Sequence, residues 1–516
     1  MDRRRFLKLS AAGAAAAAVT GPFIWTRRGR AAPFGEVPTE AADAMLPESA
    51  RATNVLEIFM YGGLSAWETL YLVEEYGRPD DPNYPNQQFY TFGGTGSASI
   101  SSALDQCSFP GTEPMGVSFA RDELDADVKL GPFAYRLRQR TDITDRMRIL
   151  VQKHTLEPHE AAVPQALTGR PVGQPAAAGL GSHIQRYFAE RADANRQSPF
   201  SYVFATGGLS GDNVSAAAST GFHPGLARPL LIKIDNAEGF SELLARGELG
   251  NLDARQKYDQ LVDAYKDQYR ERLRWQGQGE PVRSARFSDL EVAIKAVGGV
   301  DAISSVMDSS LFVNRAGNAC GASNNQDIPG MSLNAARHLL THPTEPARYV
   351  CVSDIGLYEA SGGGGYDTHS RNSTDTARNF DNLWRNLASI INTPGENDPN
   401  KIDLDKTLVI LNTEFGRTAT AQEGGSGRNH HPYGYVTAMF GGPITTAQKG
   451  IQGAIGPDSL ATGDYLKPTE NRIAALLALG IWPFSPEAFA VSDVRDVPDE
   501  ASGARSVAGR ALGYTL

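Results

Sequence analysis

The stretch Asp405-Lys406-Thr407-Leu408-Val409-Ile410-Leu411-Asn412-Thr413-Glu414-Phe415-Gly416-Arg417-Thr418 decides the fold class of this chain. Residues 407–412 have the length and apolar content of a strand covered on both faces, as in a parallel sheet. The residues ahead of it supply the crossover that parallel pairing requires. Phe380, Leu383, Trp384, Leu387 and Ile391 share one helical face, so residues 379–391 read as a helix that covers the sheet and returns the chain. Working outward, residues 55–61, 147–152, 348–353 and 435–440 read as further buried strands, and residues 331–341 and 472–479 as further helices. The expected class is α/β, a mostly parallel sheet with helices on both faces.

Length and composition agree with that class. The chain has 516 residues, 41% apolar and 21% charged, which is globular composition with enough length for a sizeable core. A net charge of -10 argues against a nucleic-acid partner, which calls for a basic face. The three cysteines have no Cys-x-x-Cys spacing and allow at most one disulfide. Cys107 with Cys320 is the favoured pair, because Cys351 lies in the apolar run Tyr349-Val350-Cys351-Val352 and reads as a buried strand residue.

The N-terminus reads as an export address. Arg3-Arg4-Arg5-Phe6-Leu7-Lys8 fits the Arg-Arg-x-Phe-Leu-Lys pattern of a twin-arginine (Tat) signal, followed by the short Ala-rich run 9–19. The expected partner is therefore the Tat translocon, and the expected location periplasmic or extracellular. The uncharged run ends at Arg27 and is weakly apolar for a permanent span. Gly29-Arg30-Ala31 and Arg30-Ala31-Ala32 both fall short of an Ala-x-Ala cleavage site, so an uncleaved signal serving as a membrane anchor stays open.

The expected organisation is a signal at 1–32, a linker at 33–51, core at 52–190, a helical insertion or cap at 191–330, and core again at 331–516. Within the insertion, residues 253–275 carry an apolar stripe of Tyr258, Leu261, Tyr265 and Leu273, best read as packing, and a second helical stretch falls at 302–312. Residues 93–102 and 316–326 read as loops.

Three polar clusters fall at strand ends, where open parallel sheets place ligands. They are Gly362-Gly363-Gly364-Gly365-Tyr366-Asp367-Thr368-His369, then Asn412-Thr413-Glu414-Phe415-Gly416-Arg417-Thr418, then Gly427-Arg428-Asn429-His430-His431-Pro432. Each alone is more often a turn, a hydrogen-bonded histidine or an ion pair. Together they suit a shared divalent cation (zinc, manganese or calcium) held by Asp367, His369, Glu414, His430 and His431, with Arg417 clamping an anionic oxygen. Ser65, beside the Gly62-Gly63 turn, is the best-placed nucleophile, although a helix N-cap is the preferred reading there.

These motifs resemble the Tat-exported bacterial family known as domain of unknown function 1501, grouped with alkaline phosphatases and sulfatases. The resemblance runs from about residue 55 to 484 and includes Gly62-Gly63-Leu64-Ser65, His159-Glu160-Ala161-Ala162 and Leu167-Thr168-Gly169-Arg170, with a poor match over 191–330. It implies a sulfatase-like sheet, with Asp367, His369, Glu414 and His430 or His431 in the order of that superfamily's metal ligands. It also favours a role for His159 as ligand or general base over a plain helix start. Departures are visible too. Phe415 stands where the superfamily has a histidine, Tyr61-Gly62-Gly63 ends the first strand with no acid, Glu68 replaces the family's usual Asp, the usual His before it is gone, and Asn429 stands where Asp is usual. They count against a full two-metal site. The expected activity is metal-dependent hydrolysis of a phosphate or sulfate ester, on a small molecule or a glycan. The alternatives are a non-catalytic envelope protein of the same fold binding a glycan or protein, or a scaffold for an exported assembly.

Overall fold

The computed structural model describes residues 33–76, 91–92, 99–109, 116–174, 177–192, 198–206, 208–221, 228–234, 327–357, 364–422 and 425–516, with isolated positions between 257 and 320. The signal at 1–32, most of the helical stretch 253–275, residues 302–305 and 308, most of the loop 316–326, and Gly362 and Gly363 lie outside the described residues, and within the expected stretch 302–312 a short 3-10 helix forms at Ser309–Phe312.

Eight strands form the central sheet: β1 (Asn54–Met60), β2 (Met147–Gln152), β3 (Ser201–Ala205), β4 (Leu230–Lys233), β5 (Tyr349–Asp354), β6 (Thr407–Asn412), β7 (Tyr435–Gly441) and β8 (Gly450–Gln452). Their order across the sheet is β8-β2-β7-β6-β1-β5-β3-β4. β1 is parallel to both β5 and β6, β3 is parallel to β5 and β4, and β8 is parallel to β2. β7 alone is reversed, antiparallel to β6 and β2. Its start therefore lies at the edge where β1, β5 and β6 end, which brings all three polar clusters to one side of the sheet.

The longer helices among the described residues are α1 (His159–Thr168), α2 (Leu180–Ala189), α3 (Gly208–Ala218), α4 (Ile328–Leu340), α5 (Asn372–Ile390) and α6 (Pro468–Ala478). Strand alternation sends Leu56, Ile58 and Met60 into one core with Phe380, Leu383 and Trp384 of α5. It sends Val55 and Phe59 into the other, with Val163 and Leu167 of α1 and Ile473 and Leu477 of α6. The result is a three-layer α/β arrangement with a mostly parallel sheet. Among the described residues no helix is long and apolar enough to cross a membrane.

Several boundaries differ from the sequence reading. β3 and β4 fall inside the segment expected to be a helical insertion, yet they extend the main sheet, and α3 packs beside β3. The expected linker at 33–51 is folded: Thr39–Ala44 and Glu48–Ala50 are short 3-10 helices, and Phe34, Ala44, Met45 and Leu46 are buried in the second core. In the expected loop 93–102, Ser99 caps a helix at Ile100–Gln106 by accepting from the Ser102 N–H at 3.1 Å. α5 begins about two turns earlier than its apolar stripe suggests, because its first turns are buried through polar side chains. Asn372 receives the Thr368 hydroxyl at 2.7 Å, and Asn379 donates to Gly365 O at 2.7 Å while accepting from Leu357 N. Cys107 and Cys320 are disulfide-bonded, and Cys351 is buried and free.

One charged residue stands in the middle of β1. Glu57 is fully buried, and its carboxylate is met by Arg472 at 2.6 and 2.8 Å, the Tyr349 hydroxyl at 2.6 Å and Asn412 Nδ2 at 2.8 Å. Removing one partner leaves a buried charge uncompensated. Arg472→Ala is expected to lower the unfolding free energy by about 3–5 kcal/mol in urea melts. A loss below about 1 kcal/mol would show that the pair contributes little.

Candidate metal centre

Three pieces of chain build the cluster at the sheet edge. His159 is the first residue of α1, preceded by Pro158, whose fixed φ suits a helix start. Asp367 and His369 come from the loop between β5 and α5. His430 comes from a two-residue ladder in which it lies opposite Arg417, with His431 opposite Gly416.

Close approach of backbone makes the convergence feasible. Gly62, at φ 108°, lies against the Asp367 amide, and a side-chain carbon there would collide with it. Gly427 is pressed in the same way against the His369 carbonyl. Tyr366 N donates to Tyr61 O at 2.7 Å, and its hydroxyl donates to Asp354 at 3.0 Å, which fixes the loop carrying Asp367 to the ends of β1 and β5.

Asp367 is the hub. Its Oδ1 is 3.4 Å from His159 Nε2, 3.2 Å from His369 Nε2 and 3.7 Å from His430 Nε2, and Arg417 bonds to it directly. His369 Nε2 and His430 Nε2 are 3.0 Å apart. One ligand atom each from His159, Asp367 and His430 lies within 4.8 Å of the others. His369 forms the open side, its side chain 38% exposed against 18% for His430 and 13% for His159.

The remaining expected residues take other places. Glu414 is fully buried one step behind the cluster, where Oε1 accepts from His159 Nδ1 and Gly62 N, each at 2.8 Å. His431 turns away and meets Ser459 O at 2.7 Å, because neighbouring strand residues point to opposite sides. Arg417 is buried, and its guanidinium is taken up by Gly62 O, Gly63 O, Arg428 O and Asp367, so no face of it is presented to an outside anion. Ser65 is buried and donates to Glu68, which also pairs with Arg428, and no described helix begins there for it to cap.

Two neighbours were not legible beforehand. Gln422 Oε1 lies 2.9 Å from His369 Nδ1, in a loop with no motif to mark it. Phe415 fills the space beside both inner imidazoles, its ring centroid 4.9 Å from that of His159 and 4.5 Å from that of His430. Its place in the motif was visible as a missing histidine. A cleft of about 830 Å³ lies at the opposite sheet edge, lined by Asn54, Arg348 and Thr407 where β1, β5 and β6 begin, and it contains none of these histidines. Convergent ligand atoms are the stronger indication of chemistry.

The electrostatics follow from burial between carboxylates. Burial alone would lower the His159 pKa, but Asp367 and Glu414 outweigh it and raise it to about 9. Burial would raise Asp367, yet contacts with His159, His369 and His430 and the Arg417 charge hold it well below the usual carboxylate range. His430 is lowered by burial and by its cationic neighbours.

The donor set fits a divalent cation. His159 Nε2 is buried with no hydrogen bond of good geometry, its ring held from behind by an anion and its free nitrogen directed at a second carboxylate. Such a nitrogen needs a proton or a metal ion between itself and Asp367.

This is a three-layer α/β protein with an imidazole–carboxylate cluster where its central strands end. The chain belongs to the family described as protein of unknown function (DUF1501), whose model matches residues 52–457. No curated protein matches it.

Without a cation, His159 keeps its proton through neutral pH. Its folded pKa of about 9 lies above the ordinary 6.5, so its stabilising contribution is complete below pH 6.5 and is lost as pH rises through about 9. NMR titration of the metal-free protein is expected to give a His159 midpoint near 9. A midpoint at or below the ordinary 6.5 would contradict the two-carboxylate environment.

Proposed function

We propose that this is an exported, alkaline phosphatase/sulfatase-like protein that binds one divalent cation through His159, Asp367 and His430, with His369 at the open side, and hydrolyses an anionic phosphate or sulfate ester. The observation that carries it is the convergence of these ligand atoms around an otherwise unpartnered His159 Nε2. A divalent cation there would neutralise charge on an ester oxygen and make a neighbouring water more acidic. Zinc or manganese suits an imidazole-rich set better than calcium, which prefers oxygen ligands. The protein's own groups do the rest: Glu414 fixes the His159 ring, Phe415 fills the space beside the inner imidazoles, and His369 lines the open side.

A second reading is a cation-binding envelope protein without turnover. It is favoured by Ser65 and Arg417, whose polar atoms are committed to Glu68, Asp367 and backbone carbonyls. Elemental analysis of the purified protein with a panel of chromogenic phosphate and sulfate esters separates the two. About one zinc or manganese ion per chain is expected, lost in His159→Ala, with ester hydrolysis that chelation abolishes. Metal without hydrolysis selects the binding reading, and no metal with stability indifferent to chelators removes both.

Export through the Tat route is part of the proposal. It rests on Arg3-Arg4-Arg5-Phe6-Leu7-Lys8 and is supported by the Cys107–Cys320 disulfide, a bond that persists in oxidising compartments. Replacing Arg3 and Arg4 by lysine is expected to hold the protein in the cytoplasm on cell fractionation. Unchanged export would remove this route.

A further inference from the structure

We propose that Glu414 is a positioning residue, not a ligand: it fixes His159 in the tautomer that carries its proton on Nδ1, so that Nε2 offers its lone pair to the cation. The proposal rests on the cation-binding reading above and deepens it.

An ionised carboxylate only accepts hydrogen bonds, so the 2.8 Å contact between Glu414 Oε1 and His159 Nδ1 requires the proton to sit on Nδ1. Glu414 has little freedom to move from this place. It is fully buried, the Gly62 N–H donates to the same oxygen at 2.8 Å, and the Thr413 hydroxyl is 3.3 Å from the other. The imidazole is also held by Tyr61, which stacks on it at 5.1 Å between ring centroids, and by Phe415, a tilted ring at 4.9 Å. With the proton fixed on one nitrogen and the ring plane fixed by stacking, the other nitrogen has one direction left, toward Asp367 Oδ1 at 3.4 Å. Glu414 is absent from the group of ligand atoms that lie within 4.8 Å of one another, so an ion bound there would meet His159 and not Glu414.

An anion behind an imidazole also makes the imidazole a stronger donor to a cation. The same arrangement recurs in weaker form at His369, whose Nδ1 is 2.9 Å from the neutral Gln422 Oε1 on the exposed side. His159 is thus the anchored ligand, and His369, beside the ligand set on its open side, is the more loosely held imidazole.

The test measures zinc affinity of the full chain by chelator competition, together with the 15N pattern of His159 in the zinc-loaded protein. Glu414→Gln keeps the shape and an acceptor for Gly62 N–H but removes the charge, and Glu414→Ala removes the acceptor. Affinity is expected to fall about 10-fold for Gln and about 100-fold for Ala, with the Nδ1–H pattern clear in the parent protein and lost in Ala. Should Ala fail to fold, Gln and a Glu414→Asp variant carry the test, with Asp expected to recover part of the affinity. A parent protein that binds zinc, with folded variants within twofold of it, would overturn the positioning role while leaving the cation site standing. A carboxylate of Glu414 found in the metal's own coordination shell by X-ray absorption of parent and Gln variant would overturn it too. A parent protein that binds no zinc, manganese or calcium would instead overturn the cation reading, and the proposal with it.

Discussion

The guanidinium of Arg417 is the fastening on which the sheet-edge cluster depends. One buried side chain bonds to Gly62 O and Gly63 O after β1, to Asp367 in the loop after β5, and to Arg428 O ahead of β7. Three separate segments are thereby tied to the two-residue strand Gly416–Arg417 that follows β6. The charge of Asp367, drawn into a largely buried place, is offset by the same group. Arg417 looks from sequence like an anion-binding residue, but its bonds are spent assembling the site.

That arrangement accounts for how ligand atoms and their supports are divided. Side chains nearest the edge, His159, Asp367, His369 and His430, point toward one another, while Glu414 and Phe415 hold the inner ones from behind and Gln422 meets His369 on the exposed side. The reversal of β7 matters here. In a fully parallel sheet the residues preceding that strand would lie at the opposite edge, and His430 would be far from Asp367. The backbone contacts at Gly62 and Gly427 add a steric condition, since neither position has room for a side chain.

Much of the fold was legible because buried strands leave a plain mark. β2 and β6 coincide with their apolar runs, and β1, β5 and β7 shift by a residue or less at their ends. What escaped notice was short or weakly apolar. β3, β4 and β8 have three to five residues each, and the first turns of α5 are buried through asparagine, serine and threonine, which no hydrophobic period reveals. The site was legible as a set of motifs but not as a geometry. Strand alternation explains why His430 and not His431 joins the cluster, yet applying it required knowing that the two residues form a strand opposite Gly416 and Arg417. The placement of Glu414 behind His159 depends on α1 docking across the end of β6, a tertiary contact with no local signature.

The ligand atoms of His159, Asp367 and His430 converge on one point in space. Crystals grown with zinc or manganese, with data collected at the metal's absorption edge, test it directly. The account predicts a single anomalous peak about 2.0–2.3 Å from His159 Nε2, His430 Nε2 and an oxygen of Asp367. A peak elsewhere, or none while His159 and Asp367 remain joined by a proton, would contradict it.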